Sequence, residues 1–392
     1  MGGGPAGLYL AILMKLHSVD HDITVFERDP RGLTYGWGVV YWEDLLLKLR
    51  ANDPETARSI SESSVRWRDQ VLDVRGTLTV HSGGGGGGYS IGRRRLLEIL
   101  GQRATDLGVH LRFESEIESP LQVPDAELIV VCDGAGSRLR QHHIDGFKTH
   151  IVTGRNKYIW LGTHKIFDAF TFAMVETGAG WIWFHAYRFD AETSTCVVEC
   201  SQKTWTGLGF DTLGSDEAVH LLSKIFVRSL DGLPLLNQGS RWLNFRTVSN
   251  EKWHRGNVVL MGDAAHTTHF TIGSGTKLAL EDAMALAVEL HEHMDLDSAL
   301  DGYESDRLAA LRQPQSEARL SAQWFENISR YTGLSDRQLL TVLRERRSPL
   351  LPRLPPLVYY ALHQATQEVP VLRKLRHQVG PRARAAYSRW FG

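Results

Sequence analysis

Gly262–Asp282 reads GDAAHTTHFTIGSGTKLALED, and the reading of this stretch decides the fold. Ahead of it, Asn257–Met261 (NVVLM) is a short apolar run rich in β-branched residues, the pattern of a buried strand ending at Gly262. Beyond Thr276, Leu278, Leu280, Met284, Ala285 and Val288 recur at helical spacing, so the chain runs strand, glycine-rich turn, helix. Such a turn makes an anion site. Gly273 and Gly275 let backbone N–H groups at the helix start approach a ligand, and the helix dipole adds positive potential there. Asp263 suits a different part of the ligand, because a carboxylate accepts hydrogen bonds from hydroxyls. A lone glycine motif also fits an ordinary loop, so the reading needs support elsewhere in the chain.

Two more motifs supply it. Gly2, Gly4 and Gly7 in GGGPAG fit G-x-G-x-x-G, the run Leu8–Leu16 after them reads as a helix, and Glu27 ends the strand-like Ile23–Phe26. An acid twenty residues past the last glycine is where a dinucleotide site places a carboxylate on ribose hydroxyls. The third motif, Asp133-Gly134-Ala135-Gly136-Ser137-Arg138, follows the apolar Glu127–Cys132. A dinucleotide fold also wants a buried strand ahead of GGGPAG, where only Met1 stands, so a first strand is expected to be missing from the chain as given.

The order of the three motifs resembles the single-component flavin-dependent aromatic monooxygenases. In that family the first holds the ADP half of FAD, the DG motif lies near the pyrophosphate, and the GD motif holds the ribityl chain and flavin. The resemblance assigns to FAD the residues Gly2, Gly4, Pro5, Ala6, Gly7, Glu27, Arg28, Val39, Arg93, Asp133, Gly134, Gly262, Asp263, Gly273, Ser274, Gly275 and Thr276. Gly36-Trp37-Gly38-Val39-Val40 passes beside the flavin in the family, and Arg93 matches its flavin-facing arginine.

Two subgroups come closer. Gly154–Trp160, His185-Ala186-Tyr187, Ser194-Thr195 with Val198–Cys200, and Arg346–Leu357 are similar to the violacein-pathway indole hydroxylase. Phe167–Phe172, His269–Ala283 and Trp324–Ile328 are similar to the salicylyl-CoA 5-hydroxylases. Where the wider class has Pro-Pro after GDAAH, this chain has His269-Phe270, as both subgroups do. The implied chemistry is reduction of FAD by NADH or NADPH, addition of O₂ to give a C4a-hydroperoxide, and attack on a ring carbon ortho or para to an OH or NH donor. On this reading His269, His185 and Tyr187 are catalytic candidates that polarise the ring donor or serve as base, although His185 and Tyr187 equally suit a sheet filler's role. Phe270, Trp183 and Phe172 are candidates for the ring-binding wall. The expected substrate is a salicylate- or anthranilate-type thioester on CoA or a carrier protein. A tryptophan-derived indole is the alternative, and a non-catalytic scaffold the reading from another class. Trp181-Ile182-Trp183 begins like a flavin halogenase's W-x-W-x-I-P, but Phe184-His185 follows.

The fold expected is α/β. A doubly wound dinucleotide-binding domain (1–147 and 242–331) is interleaved with a mostly antiparallel substrate domain (148–241), and 332–392 form a helical tail. Tyr158–Thr163, Phe170–Glu176, Trp181–Tyr187 and Ser194–Cys200 read as strands of the sheet, and a long helix runs from Ser298 towards Tyr331. Composition, 42% hydrophobic and 23% charged, is that of a globular protein. A net charge of −1 argues against nucleic acid as partner, though residues 341–392 carry ten Lys/Arg against two Asp/Glu. That tail reads as a solvated face or a dock for an anionic partner. Cys132, Cys196 and Cys200 suit reduced thiols of a cytoplasmic protein, and the pairs His142/His143 and His291/His293 form no recognisable metal site. Leu8–Met14 is too short to span a bilayer. Gly83–Gly88 meets the G-x-G-x-x-G pattern trivially and reads as a mobile loop.

Overall fold

A computed structural model describes residues 1–74, 76–81, 87–142 and 144–368. Helix Pro5–His17 is apolar on nearly every side, and Ala6, Leu8–Leu13 are buried, as a helix without a polar face must be. It packs against helices Gly275–Glu292 and Arg93–Asp106. Beneath them lie two short parallel pairs, Thr24–Phe26 with His110–Arg112 and Ile129–Val131 with Val258–Leu260. Met1 and Gly2 bridge the two pairs. The Met1 amine donates to Val130 O at 2.6 Å, Cys132 N–H to Met1 O at 2.8 Å, and Gly2 N–H to Phe26 O at 2.8 Å. This is where the motif calls for a strand ahead of GGGPAG.

The second layer is an eight-stranded sheet in the order Leu235–Leu236, Thr149–Thr163, Ser194–Ser201, Gly180–Arg188, Phe170–Thr177, Gln70–Val74, Thr77–His81, with Leu243–Asn250 also paired to Thr149–Thr163. Its pairings are antiparallel except that of Phe170–Thr177 with Gln70–Val74. Two segments cross the boundaries drawn from sequence: the hairpin within 70–81 and the strand Leu243–Asn250 both join this sheet. A strand's own alternation marks its faces but not its neighbours, and a parallel neighbour arrives through a long crossover.

Alternation sends Ile159, Leu161, Phe184, Ala186, Cys196, Val198 and Cys200 to one face, against helix Ser215–Ile225. The opposite face is covered by the end of the long helix Leu296–Glu326, which continues through Pro314, and by helices Asp336–Arg344 and Pro356–Glu368. Among the described residues no helix is long and apolar enough to cross a membrane. Residues 83–86 of the glycine run, His143 and the basic tail beyond residue 368 lie outside the described residues.

Candidate active site

The GD turn is held from behind by one buried acid. Asp282, fully buried in helix Gly275–Glu292, accepts Gly262 N–H at 3.0 Å, His266 Nε2 at 2.8 Å and Arg307 Nε at 2.8 Å. Burial alone would raise its pKa, but His266 and Arg307 together overcome that and hold the carboxyl below the usual range. His266 in turn stacks on Trp253, 5.2 Å between ring centres. At the far end of the turn Gly273 has φ +64°, and a Cβ there would stand 2.6 Å from Val40 and 2.8 Å from Trp42. Only glycine lets this turn lie against the strand Gly38–Tyr41.

The first motif is equally tight. A Cβ on Gly7 would lie 2.3 Å from Gly2 O and 2.7 Å from Cys132 Sγ, so this glycine lets the helix sit on the bridging residues. Gly4 caps the helix, Pro5 is its first residue, and Ala6 packs under Gly262. Glu27 accepts N–H groups from Gly3 (2.7 Å) and Asp29 (3.0 Å). Asp133 takes Arg138 N–H at 3.1 Å, while its other oxygen is buried with no partner among the described residues.

A cavity of about 1460 Å³ opens between the two layers. That exceeds the roughly 300–1,000 Å³ of a single small-molecule site, so a cofactor and a second ligand fit together. One end is lined by Arg28, Val39, Arg93, Ala135, Gly136, Asp263, Gly273, Gly275 and Thr276. Residues of the DG and GD motifs, far apart in sequence, thus meet at one end, with Arg28, the neighbour of Glu27, beside them. Space is open beside Gly4, Gly134, Gly136 and Gly275. Asp263 reaches into the cavity, yet the surrounding protein raises its carboxyl's pKa, opposed by His266 and Arg93. Arg93 Nε donates to Thr34 Oγ1 at 3.1 Å. An acid for hydroxyls, a helix start for phosphate and an arginine close enough to act on that acid fit a flavin dinucleotide. Ser274 instead gives its hydroxyl to a bond with Thr268 at 2.9 Å, and Gly2, Gly4, Pro5, Ala6, Gly7, Glu27, Asp133, Gly134 and Gly262 are not among the lining residues.

The other end is an aromatic chamber. Register sets Phe172, His185, Val197 and Trp160 in one row across four strands, and all four line the cavity. His185 lies between Phe170 and Phe270, near parallel to both at 5.9 and 5.6 Å. Desolvation, with Arg346 and His269 nearby, drops its pKa to about 3, so it is neutral; its Nδ1 is buried without a partner among the described residues. Phe270 and Tyr158 close the wall, 4.8 Å between ring centres.

Three sequence candidates are placed differently. Tyr187 lines the cavity, but its hydroxyl already donates to Gly38 O at 2.8 Å, and burial pushes its pKa well up, so it ties the sheet to the strand Gly38–Tyr41 and is no base. Trp183 shares the face of His185 and Tyr187, yet the end of the long helix covers it: it stacks on Phe325 at 5.7 Å and donates to Glu199 at 3.2 Å. It is packing and no part of the ring-binding wall. His269 turns back to cap the short turn Phe270–Ile272, its Nδ1 2.9 Å from Thr271 Oγ1, and it packs between Phe245 and Phe270 outside the lining. Desolvation first, then Arg346, lowers its pKa to about 3, so it is uncharged at neutral pH and a weak proton acceptor.

Sequence reasoning missed Arg346 and Glu199. Arg346 reaches the chamber from the segment after helix Asp336–Arg344, with its guanidinium 5.5 Å above the Phe172 ring. Glu199 sits under the chamber, bonded to Asn156 (2.8 Å) and Trp183, and burial lifts its pKa to about 8. A charge inside the apolar run Cys196–Cys200 was the available signal for Glu199; the basic surroundings of Arg346 masked it.

Residues 94–317 match the FAD binding domain family, and the chain belongs to it, among the single-component FAD-dependent aromatic monooxygenases. It is 37% identical over 345 residues to salicyloyl-CoA 5-hydroxylase of a Streptomyces species, covering 86% of this chain and 66% of that protein, and so spans just under two thirds of that relative's length. It is 35% identical to 3-hydroxy-4-methyl-anthranilyl-(aryl-carrier protein) 5-monooxygenase of Streptosporangium sibiricum, over 83% of this chain and 88% of the other. Protodeoxyviolaceinate monooxygenase of Chromobacterium violaceum is 29% identical over 90% and 95%.

Proposed function

We propose that the protein hydroxylates an electron-rich aromatic ring using FAD, NADH or NADPH, and O₂, with a salicylate- or anthranilate-type acyl thioester as substrate. The observation that carries this is one cavity that joins residues suited to FAD to a chamber of aromatic walls. FAD, when bound, supplies the electrons taken from NAD(P)H and the delivery of one oxygen atom. The chain's own residues do the rest. Phe170, Phe172, Phe270, Trp67 and Tyr158 hold the ring and exclude water. His185, neutral and unpartnered at Nδ1, orients the ring's hydroxyl or amino group by a hydrogen bond. Arg93 and Asp263 fix the flavin end.

Two relatives are named for ring acids carried on CoA or on an aryl-carrier protein, which supports a thioester. Arg344, Arg347 and Arg353 line one wall of the cavity and would favour the phosphate-bearing arm of such a carrier. The test is NAD(P)H oxidation and product analysis with salicyloyl and anthraniloyl thioesters beside free indoles. Stimulation and hydroxylation by thioesters is expected. Hydroxylated indoles, with thioesters neither binding nor stimulating, would hand the case to the indole reading that the Chromobacterium relative supports.

A further inference from the structure

Helix Pro356–Glu368, beside the cavity, has two apolar sides. Tyr359 is buried and, with Leu362, His363 and Thr366, lines the cavity. Leu357, Val358, Ala361 and Leu362 form the other side, since positions i, i+1, i+4 and i+5 of a helix lie in one stripe. That stripe faces water: Leu357 is 59% exposed, Val358 47% and Leu362 52%, and Leu350 just ahead of the helix is 55% exposed. Scattered exposed leucines are ordinary, but a contiguous stripe marks a contact surface. The ledge is firmly seated. Leu351 and Tyr359 belong to the same core cluster as Phe172 and Leu343, and Arg330 donates to Pro352 O at 2.6 Å and to Leu354 O.

Charge selects the occupant. Arg344 and Arg353, both exposed, line the cavity with Arg347, Leu350 and Leu362. Two acids face them: Glu317 is 3.4 Å from Arg347, and Glu345, close enough to act on Arg344, meets Tyr359 at 3.4 Å and His363 at 3.8 Å. Three arginines against two acids leave the rim positive. Beyond the described residues the sequence keeps that sign, with six Lys/Arg and no Asp/Glu in residues 369–392. The occupant is therefore acidic, and it covers aliphatic side chains. Leu357, Val358 and Ala361 lie outside the lining, whereas the arginines are part of it. A free coenzyme would meet the arginines and leave the stripe bare. A membrane would meet both, but gives no reason for the cations to line the cavity.

We propose that this ledge docks an acidic carrier protein, which hands its acyl group into the chamber on a phosphopantetheine arm. The arm's phosphate and the carboxylates around it meet Arg344, Arg347 and Arg353, and the carrier's aliphatic side chains beside the arm cover Leu357, Val358 and Ala361. This rests on the thioester reading and names the partner that delivers the thioester. Opposite charge speeds docking and makes it sensitive to salt, while the apolar contact fixes the orientation.

The test places one aroyl–pantetheine arm on three handles. Salicyloyl and anthraniloyl groups are given to the whole, FAD-loaded chain as pantetheine thioesters, as CoA thioesters, and on an acyl carrier protein of net negative charge loaded from those CoA thioesters. Product is measured with NAD(P)H and O₂. The carrier form should have a KM at least about tenfold below that of the pantetheine form, and raising NaCl from about 0.05 to about 0.3 M should cancel most of the gain. Leu357→Asp combined with Val358→Asp should raise the carrier KM about tenfold and leave the pantetheine and CoA forms at their wild-type KM. Leu357→Ala with Val358→Ala should move the carrier KM the same way by less, and flavin content and melting temperature verify that both variants are folded. A carrier form no better than the pantetheine form overturns the proposal, as does an equal loss on all three handles. So does an Asp variant that melts earlier with carrier kinetics intact, which means that the chain itself covers the stripe. A wild-type dimer that the Asp variant splits, or adsorption to phosphatidylglycerol vesicles with no gain from the carrier, overturns it too. If no pantetheine or CoA thioester is hydroxylated, the thioester reading fails and takes this one with it; hydroxylation of the pantetheine form without a carrier gain sinks the docking alone.

Discussion

Behind the flavin end of the cavity an interior acid is kept ionised, and behind the ring end another is kept neutral. Asp282 meets His266, Arg307 and a backbone N–H, and the two cationic partners outweigh the cost of burial. Glu199 meets only Asn156 and Trp183, neutral donors that do not outweigh it, and its pKa rises to about 8. The same kind of group ends in opposite charge states because of its partners alone. The flavin end is thereby a charged, backbone-shaped cradle, whereas the ring end is an apolar box whose own charge, Arg346, is held by Ser321, Leu343 and Thr271.

The sharpest way to break that contrast is to remove the ionised acid. Asp282→Ala leaves Arg307 buried without its nearest carboxylate and Gly262 N–H without its acceptor, which should cost roughly 3–5 kcal/mol of stability and also release flavin. Denaturant unfolding measures it; a loss below about 1 kcal/mol would mean that the ion pair contributes little to holding the turn.

Asp263→Ala acts on the ligand and spares the fold. Losing one charge-assisted hydrogen bond to a flavin hydroxyl should cost about 1.5–3 kcal/mol, so FAD affinity falls about ten- to a hundredfold while the melting temperature of the apoprotein stays put. Unchanged flavin content after dialysis removes Asp263 from the cofactor site.

Glu199 gives the comparison a pH signature. Its folded pKa is raised, so the stability it contributes is full below the unfolded value near 4.5 and is lost as pH climbs to about 8, at about 1.4 kcal/mol per unit. Asp282, with its lowered pKa, has the reverse sign: its contribution is present above the unfolded value and is lost as pH falls through the folded one. Glu199→Gln should flatten the alkaline limb of the stability profile and leave the acid limb alone. A variant with the wild-type slope from pH 5 to 8 would show that Glu199 is already ionised.

The same contrast explains what was legible in the sequence. Gly7 and Gly273 announce themselves because no other residue fits where backbone touches backbone or a positive φ is needed, and such constraints are local. The strands Phe170–Thr177, Gly180–Arg188 and Ser194–Ser201 follow from alternation. Whether Trp183 or His185 meets the cavity does not, since both point to one face and only the distant Phe325 covers the first. Arg346 was hidden for the same reason: its burial comes from Phe172, Thr271 and Ser321, none of them near it in the chain.

The smallest effect separates the two histidines, whose pKa values both fall to about 3. His185 faces the chamber with a nitrogen free of partners among the described residues, and His269 spends Nδ1 on capping the turn Phe270–Ile272. His269→Ala should therefore behave like the loss of a helix cap, at about 1 kcal/mol of stability, with flavin retained and product per NAD(P)H unchanged. His185→Phe keeps a ring between Phe170 and Phe270 but removes both nitrogens, so it should hold its melting temperature while product per NAD(P)H falls and H₂O₂ rises. Measured side by side, the two variants should fail in different assays. If instead His269→Ala uncouples and His185→Phe does not, His269 reaches the ring in the loaded protein, and the cap seen here opens when the substrate binds.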